Sequence, residues 1–305
     1  MIHYLYSYHL NKKRDKRRTK FGRWINWQLY KYLKISLVKY YKNLPLKSLK
    51  IDTESTVIVS LTTIPNRIEY VYLPIKSLLN QTVPPKKIVL WLGEEFFTSK
   101  IEDLPKNLRE LIPFGLEIEF CKDLKAHTKY YYTFQNYKEN LVLTIDDDIL
   151  YPKNLIEVLL NKYNEFPKSV VANRVRKIVV DENGVKPYRD WKINVPKSSR
   201  EPSHLLLATG VSGVLYKPSL FSESTYDTEG MEKTNCIGDD IWLKAAQIDS
   251  DLKVVKTDQF ARAFIEIEEA QEQSLYKANV FENENDRQVK EVFKYFNIDE
   301  EIFRN

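Results

Sequence analysis

Apolar runs and amphipathic stretches alternate along the chain from residue 56 onward. "TVIVSL" (56–61), "KKIVLWL" (86–92), "GLEIEF" (115–120) and "NLVLT" (140–144) are short, largely aliphatic runs bounded by turn residues, and each reads as a strand. Between them, "IEYVYLPIKSLLNQ", the segment around "IEDLPKNLRELI" and "HTKYYYTFQNY" read as helices, and "PKNLIEVLLNKY" reads as the helix that follows the fourth run. Successive βα units predict an α/β domain. Its central sheet is mostly parallel, its crossovers right-handed and its helices on both faces, in a Rossmann-like arrangement.

The regularity breaks after "VVANRVRKIVV". Residues 181–204 form a long polar excursion with one Gly and three Pro. "LLLATGVSGVLYKPSLF" then reads as an apolar strand broken by Gly210 and Gly213, where a backbone or ligand can approach closely. "GDDIWLKAAQI" (238–248) predicts a helix with Asp239 and Asp240 in its first turn, and "ENDRQVKEVFKYF" an exposed amphipathic helix. With no internal repeat and no second core in the pattern, residues 51–305 are expected to form one domain.

Residues 1–50 differ. Ile25, Leu29, Leu33, Leu37 and Tyr41 recur every fourth position, with lysines between them. Fourteen Lys and Arg stand here against the single Asp15, a net +13, whereas the other 255 of the 305 residues carry −8. With Trp24, Trp27 and several tyrosines, this pattern predicts a helix lying on an anionic leaflet, each nearby cation contributing about 1 kcal/mol. The other readings are a helix packed on the body or a second subunit, and a nucleic-acid arm. No zinc-finger spacing or RNA-binding signature supports nucleic acid as a partner. Two cysteines, no leader-like run and no apolar stretch near the roughly 18 to 20 residues of a membrane span point to a cytoplasmic protein, peripheral on the inner face of a membrane. The 43% hydrophobic content is ample for a core.

The densest chemistry is "LTIDDDILYP", which places Asp146, Asp147 and Asp148 at the carboxyl end of a strand, where open α/β sheets bind ligands. Three like charges raise each other's pKa unless a cation offsets them. A calcium loop needs alternating ligands, which Ile149, Leu150 and Tyr151 break. The pattern suits a hard divalent ion, Mn²⁺ or Mg²⁺, that takes few protein ligands and shares a diphosphate; helix capping is the plain alternative. "GDD" at the later helix start reads in isolation as an ordinary cap, but beside a metal site it offers a carboxylate base for an acceptor hydroxyl.

These segments, together with "VIVSLTTIPNRIEYVYLPIKSLLNQTVPPKKIVLWL", "TGVSGVLY" and "CIGDDIWLKAAQ", resemble GT-A glycosyltransferases over roughly residues 55–250. The likeness is to bacterial family-2-like enzymes, with acidic motifs also similar to the exostosin-like family. The resemblance implies a GT-A fold. It makes Asp146-x-Asp148 the Asp-x-Asp motif, Asp148 the direct metal ligand and Asp146 its partner in the motif and a contact to ribose or donor sugar, with Asp147 orienting either. It implies donor contacts at Thr62, Thr63 and Arg67, and a strand bordering the donor sugar at Gly210 and Gly213. Asp240, beside Asp239, matches the general base of inverting members. "TTIPNR" departs from the Tyr-Asn-Arg-like turn of family 2, and exostosin-like enzymes retain configuration; the family-2-like start implies inversion.

Lys129 is a candidate to neutralise the diphosphate, and Arg174 and Arg176 to reach a phosphate or charged sugar. Tyr188 and Trp191 could stack on an acceptor sugar or pack in their loop. His127 reads as structural and Cys236 as packed near the site; His204 is a weak candidate for an extra metal ligand, since it stands before a strand far from the Asp cluster. The expected function is transfer of a sugar from a nucleotide-sugar donor, UDP by default, to a glycan or lipid-linked glycan of a capsule, lipopolysaccharide or related surface polymer. Two rivals are a nucleotidyltransferase, which should carry a Gly-rich phosphate loop where "TTIPNR" has no Gly, and a non-catalytic carbohydrate-binding protein.

Overall fold

The computed structural model describes residues 19–182, 184–193, 195, 201–258, 264–270 and 284–304, together with Leu5 and Tyr8. The basic run 11–18 and parts of the 181–204 excursion lie outside the described residues.

In chain order the elements are α1 (Lys20–Lys42), β1 (Val57–Thr62), α2 (Tyr72–Leu78), β2 (Lys87–Gly93), α3 (Lys106–Arg109), β3 (Leu116–Cys121), α4 (Thr128–Asn136), β4 (Leu141–Thr144), β5 (Ile149–Leu150), α5 (Leu155–Glu165) and β6 (Ser169–Ala172). There follow β7 (Val175–Lys177), β8 (Val180–Asp181), β9 (Gly184–Val185), β10 (Leu206–Ala208), β11 (Val214–Tyr216), α6 (Thr228–Lys233), α7 (Asp239–Asp249), β12 (Lys253–Lys256), β13 (Ile265–Glu266) and α8 (Glu284–Tyr295). Seven strands make one sheet in the order β12-β6-β11-β4-β1-β2-β3. Every neighbouring pair is parallel except those of β11, which runs antiparallel to both β4 and β6. The fold is thus mixed α/β around a mostly parallel sheet. The turn immediately before β11 calls for a glycine, since Gly213 adopts φ +80°, a conformation that costs a side-chain-bearing residue.

The period-two alternation of the strands sorts the core onto the two faces of this sheet. Val57, Val59 and Leu61 of β1 and Leu141 and Leu143 of β4 face α1, α2 and α5, packing with Leu37, Tyr41, Leu73, Ile75, Leu155 and Leu159. Val142, Val170 and Val254 face the other way, into Tyr130 and Phe134 of α4, Trp242 of α7 and Val292 and Phe293 of α8. The last helix, expected to be exposed, therefore buries one stripe. The "IEDLPKNLRELI" segment is not one helix: only Lys106–Arg109 is α-helical, between 3-10 turns at Lys100–Asp103 and Ile112–Phe114. Pro105 and Pro113 lack the N–H that a continuous helix needs.

No described helix is long and apolar enough to cross a membrane. The boundary expected at residue 50 does not fall at a gap in the packing. Leu37, Tyr41, Leu44 and Leu49 belong to the main core, and the Lys76 ammonium donates to the carbonyls of Lys42 (3.3 Å) and Leu44 (3.2 Å). The four-residue spacing showed an apolar stripe but not what covers it: its later half docks on the body, while Ile25 and Leu29 remain exposed. Leu37→Ala is expected to cost about 2–5 kcal/mol by cavity formation. Ile35→Ala, two positions away on the outward side, should stay within about 0.5 kcal/mol. Equal denaturant midpoints for the two variants would refute this placement of α1.

Candidate active site

The acidic run leaves the sheet at the carboxyl end of β4, beside the carboxyl end of β1. Its loop is fixed by main-chain bonds. The Ile145 N–H continues the ladder to the Ser60 carbonyl (3.1 Å), the Asp146 N–H donates to the Tyr151 hydroxyl (2.8 Å), and the Asp148 carbonyl accepts from the Ile267 N–H (2.8 Å). Pairing of β5 with β13 closes the loop from outside.

The three carboxylates face different partners. Asp147 points inward, accepting from the Thr63 hydroxyl (2.6 Å) and the Arg67 guanidinium (2.8 Å). Burial pushes its pKa up, and Arg67 and Thr63 oppose that rise. The same guanidinium lies 3.4 Å from Asp148. Asp146 is the most open of the trio at 28% side-chain exposure, and its Oδ1 lies 2.9 Å from Lys129 Nζ.

Lys129 also meets the second acidic motif. From the first turn of α4 its buried ammonium reaches Asp239 Oδ2 at 2.9 Å, so one cation bridges the end of β4 and the start of α7. Burial works against its charge, but Asp146, Asp239 and Asp240 outweigh it and hold its pKa well above the ordinary lysine value. Asp240 accepts from the Gly210 N–H (2.9 Å). Burial and then the neighbouring Asp239 push its carboxyl up to about 8, with Lys129 opposing. Gly210 sits where these groups converge: a Cβ there would lie 2.9 Å from Lys129 Nζ, 3.4 Å from Asp240 Oδ1 and 3.5 Å from Asp146 Oδ1.

Several residues without a motif signal aim this arrangement. Ser60 donates to the Lys129 carbonyl (2.6 Å) and lies 2.5 Å from the Thr133 hydroxyl, which also accepts from the Trp91 indole (2.6 Å). These contacts seat α4 on β1 and β2. His127 is buried, and burial lowers its pKa, which keeps the ring neutral. Its Nε2 faces the Cys236 carbonyl (2.8 Å) and so carries the proton, leaving Nδ1 to accept from the Tyr130 hydroxyl (3.2 Å). That bond ties the start of α4 to the segment entering α7, where Cys236 is buried and its thiol is pushed up to about 12 by burial. No sequence pattern flags Ser60 or Thr133; their only trace is a polar residue inside an apolar strand and another inside an aromatic helix.

Other sequence candidates stand elsewhere. The Thr62 hydroxyl donates to the Trp91 carbonyl (2.9 Å) and serves the β1–β2 seam. Gly213 faces Leu143 and Leu155 in the core, so of the glycine pair only Gly210 reaches the acids. Trp191 is buried at 2% exposure and its indole donates to the Lys186 carbonyl (2.7 Å). It is a core residue with no open face for a sugar, because the excursion folds back onto β7. Tyr188 is partly buried, with the Arg176 guanidinium 4.4 Å above its ring, so Arg176 stacks instead of meeting an acid. The Arg174 carbonyl accepts from the Thr209 N–H (3.0 Å). His204 lies by the β12 edge, 3.7 Å from Asp251, and burial lowers its pKa to about 4. Its charged neighbour is thus Asp251 and not the acidic run of β4.

Among the described residues no three His, Cys, Asp or Glu side chains are grouped to hold a metal ion by themselves. Hard oxygen donors at Asp146 and Asp148 do fit an ion that takes one or two carboxylates and completes its shell from a diphosphate and water.

Lys129→Ala would strand Asp146 and Asp239 without their cation. It is expected to cost about 3–5 kcal/mol in denaturant unfolding, and a loss below 1 kcal/mol would show the bridge to be weak. Asp240 has the opposite sign. Its folded carboxyl holds its proton to about 8, against about 3.9 for an unfolded aspartate, so the folded state binds more protons in between. Its contribution to stability therefore falls as pH rises through that window. Asp240→Asn should remove the fall and raise the melting temperature of metal-free protein above neutral pH; an unchanged pH dependence would contradict the assignment.

The sequence matches no protein-family model and no curated protein. Among solved structures, it is similar to S. aureus TarS 1-349, at 14% identity and a TM-score of 0.44, over 67% of this chain and 58% of that one. The complex of the same TarS fragment with UDP-GlcNAc gives 13% identity and a TM-score of 0.41. A mannosyltransferase, PcManGT from Pyrobaculum calidifontis in complex with GDP-Man and Mn²⁺, gives 13% identity and a TM-score of 0.43, over 85% of this chain and 67% of that one. The chain thus spans 58% of the length of the TarS fragment.

Proposed function

We propose that the chain is a metal-dependent glycosyltransferase of GT-A type, moving a sugar from a nucleotide-sugar donor to an acceptor hydroxyl. The observation that carries this reading is the convergence of Asp146, Asp239 and Asp240 on the Lys129 ammonium, at the carboxyl ends of β1 and β4, with Gly210 contributing no side chain. Acids from two distant segments share one cation, as a site that handles both a diphosphate and a proton requires.

In this reading Asp148 and Asp146 hold Mn²⁺ or Mg²⁺, which when bound offsets charge on the departing nucleoside diphosphate as a Lewis acid. Thr63 and Arg67 set the Asp147 side chain, and through it the frame of the loop that presents Asp146 and Asp148. Lys129 adds a fixed positive charge beside the diphosphate. Asp240, oriented by the Gly210 N–H, takes the proton of the acceptor hydroxyl as that oxygen attacks the anomeric carbon. Direct attack by the acceptor implies inversion. Its raised pKa means that Asp240 works as a base once deprotonated, so turnover should rise with pH through the range around 8. The acceptor we assign is a glycan or lipid-linked glycan of a cell-surface polymer, a choice supported by the motif resemblance and the basic arm.

The test is release of nucleoside diphosphate from a panel of nucleotide sugars, with Mn²⁺ and with chelator. One donor should turn over in a metal-dependent manner, and Asp148→Ala and Asp240→Ala should each lower the rate by about 10²-fold or more. Full turnover in Asp240→Ala would remove it as the base. With pyrophosphate added to the same mixtures, appearance of sugar 1-phosphate and a nucleoside triphosphate would point to nucleotidyl transfer instead.

A further inference from the structure

Helix α1 has two apolar faces, and among the described residues only one is packed on the body. Leu37 and Tyr41 are buried in the core, with Leu33 and Val38 packed against it. On the opposite side Phe21, Trp24, Tyr32 and Ile35 are 69%, 54%, 68% and 68% exposed, and Ile25 and Leu29 are open beside them. Spacings of three and four residues place these six side chains on a single stripe along the outward face. Phe21 and Trp24 stack with ring centres 6.0 Å apart, so the start of the stripe is a continuous aromatic surface.

The charges around the stripe select its occupant. The 23-residue helix contains no Asp or Glu. Lys20, Lys31 and Lys39 are exposed along the same side, and the Lys31 ammonium sits 3.8 Å above the Trp27 ring, which draws a cation against the apolar edge. Among the described residues, Glu268 and Glu269 of the body reach the helix and pair with Lys34 and Lys42. The segment immediately before the helix, residues 11–18, adds six more basic residues and the single Asp15.

We propose that this outward face, Phe21, Trp24, Ile25, Leu29, Tyr32 and Ile35 with the lysines beside it, is a docking surface for an anionic lipid membrane. An aromatic and aliphatic stripe enters the headgroup boundary, and the flanking cations meet the lipid charge. The inner face stays on the protein, so the helix joins lipid to body without unfolding either contact. A second copy of this chain is disfavoured as occupant because apposing two such faces brings their lysines together with no acid to offset them.

The inference is independent of the catalytic reading, since binding is measured without turnover. The full chain is sedimented with phosphatidylcholine vesicles and with vesicles that also contain phosphatidylglycerol. Binding should require the anionic lipid and weaken at high salt, where the screening length shrinks from about 10 Å at 0.1 M to about 3 Å at 1 M. Trp24→Ser with Ile35→Ser should lower the bound fraction at least about tenfold while leaving the unfolding transition in place. Lys31→Gln with Lys39→Gln should lower binding to anionic vesicles selectively. Three results would overturn the proposal: full chain left in the supernatant with anionic vesicles, apolar variants that bind as before, or a concentration-dependent dimer that the same variants disperse.

Discussion

The ammonium of Lys129 is the point on which this structure turns. A buried lysine is expensive unless its charge is matched, and buried aspartates are equally so. Here the two costs offset each other across 2.9 Å contacts to Asp146 and Asp239. The rest of the interior is arranged to make that meeting possible. Ser60 and Thr133 seat α4, His127 ties its start to the approach of α7, and the turn at Gly210 leaves open the space that a side chain would fill. Because the partners come from β4, α4 and α7, the ion cluster also fastens the two halves of the sheet's carboxyl edge.

That arrangement carries a tension between stability and chemistry. Asp240 lies among acids in a place that raises its pKa, which a stability-optimised protein would avoid. The Asp147 carboxylate, by contrast, is saturated by Thr63 and Arg67. One acid of the run is thus held as scaffold, while Asp146 and Asp239 share the Lys129 ammonium and Asp240 is buried beside them. A buried carboxyl held far from its ordinary pKa beside named charge partners is a physical reason to look for function here, separate from any likeness of fold.

Much of the architecture was legible in the sequence because it rests on periodicity. The strands at 57–62, 87–93, 116–121 and 141–144 lie within a residue or so of the apolar runs, and the acids stand at the strand end and helix start where the pattern put them. What escaped the sequence depends on direction and on partners far along the chain. β11 runs against both of its neighbours, and nothing in "GVLY" distinguishes a parallel from an antiparallel strand. For Trp191 the sequence leaves a sugar platform and loop packing equally open, because loop aromatics do both, and its burial decides for packing. The stripe of α1 was visible, but an amphipathic pattern does not say whether protein or solvent covers it, and here the helix divides the two along its length. Ser60 and Thr133 gave no signal, since a lone hydroxyl in an apolar run is ordinary until its partner is known.

The three consecutive aspartates are chemically identical, and only their frame tells them apart. Asp146 meets Lys129, Asp147 meets Thr63 and Arg67, and Asp148 hangs its carbonyl on Ile267. Insertion of a single residue ahead of Asp146 would leave the composition and charge of the acidic run untouched while handing each carboxylate its neighbour's surroundings. The site is therefore far more vulnerable to a shift of phase than its repetitive spelling suggests. Its information is held in the count of residues from the last ladder bond of β4, not in the letters themselves.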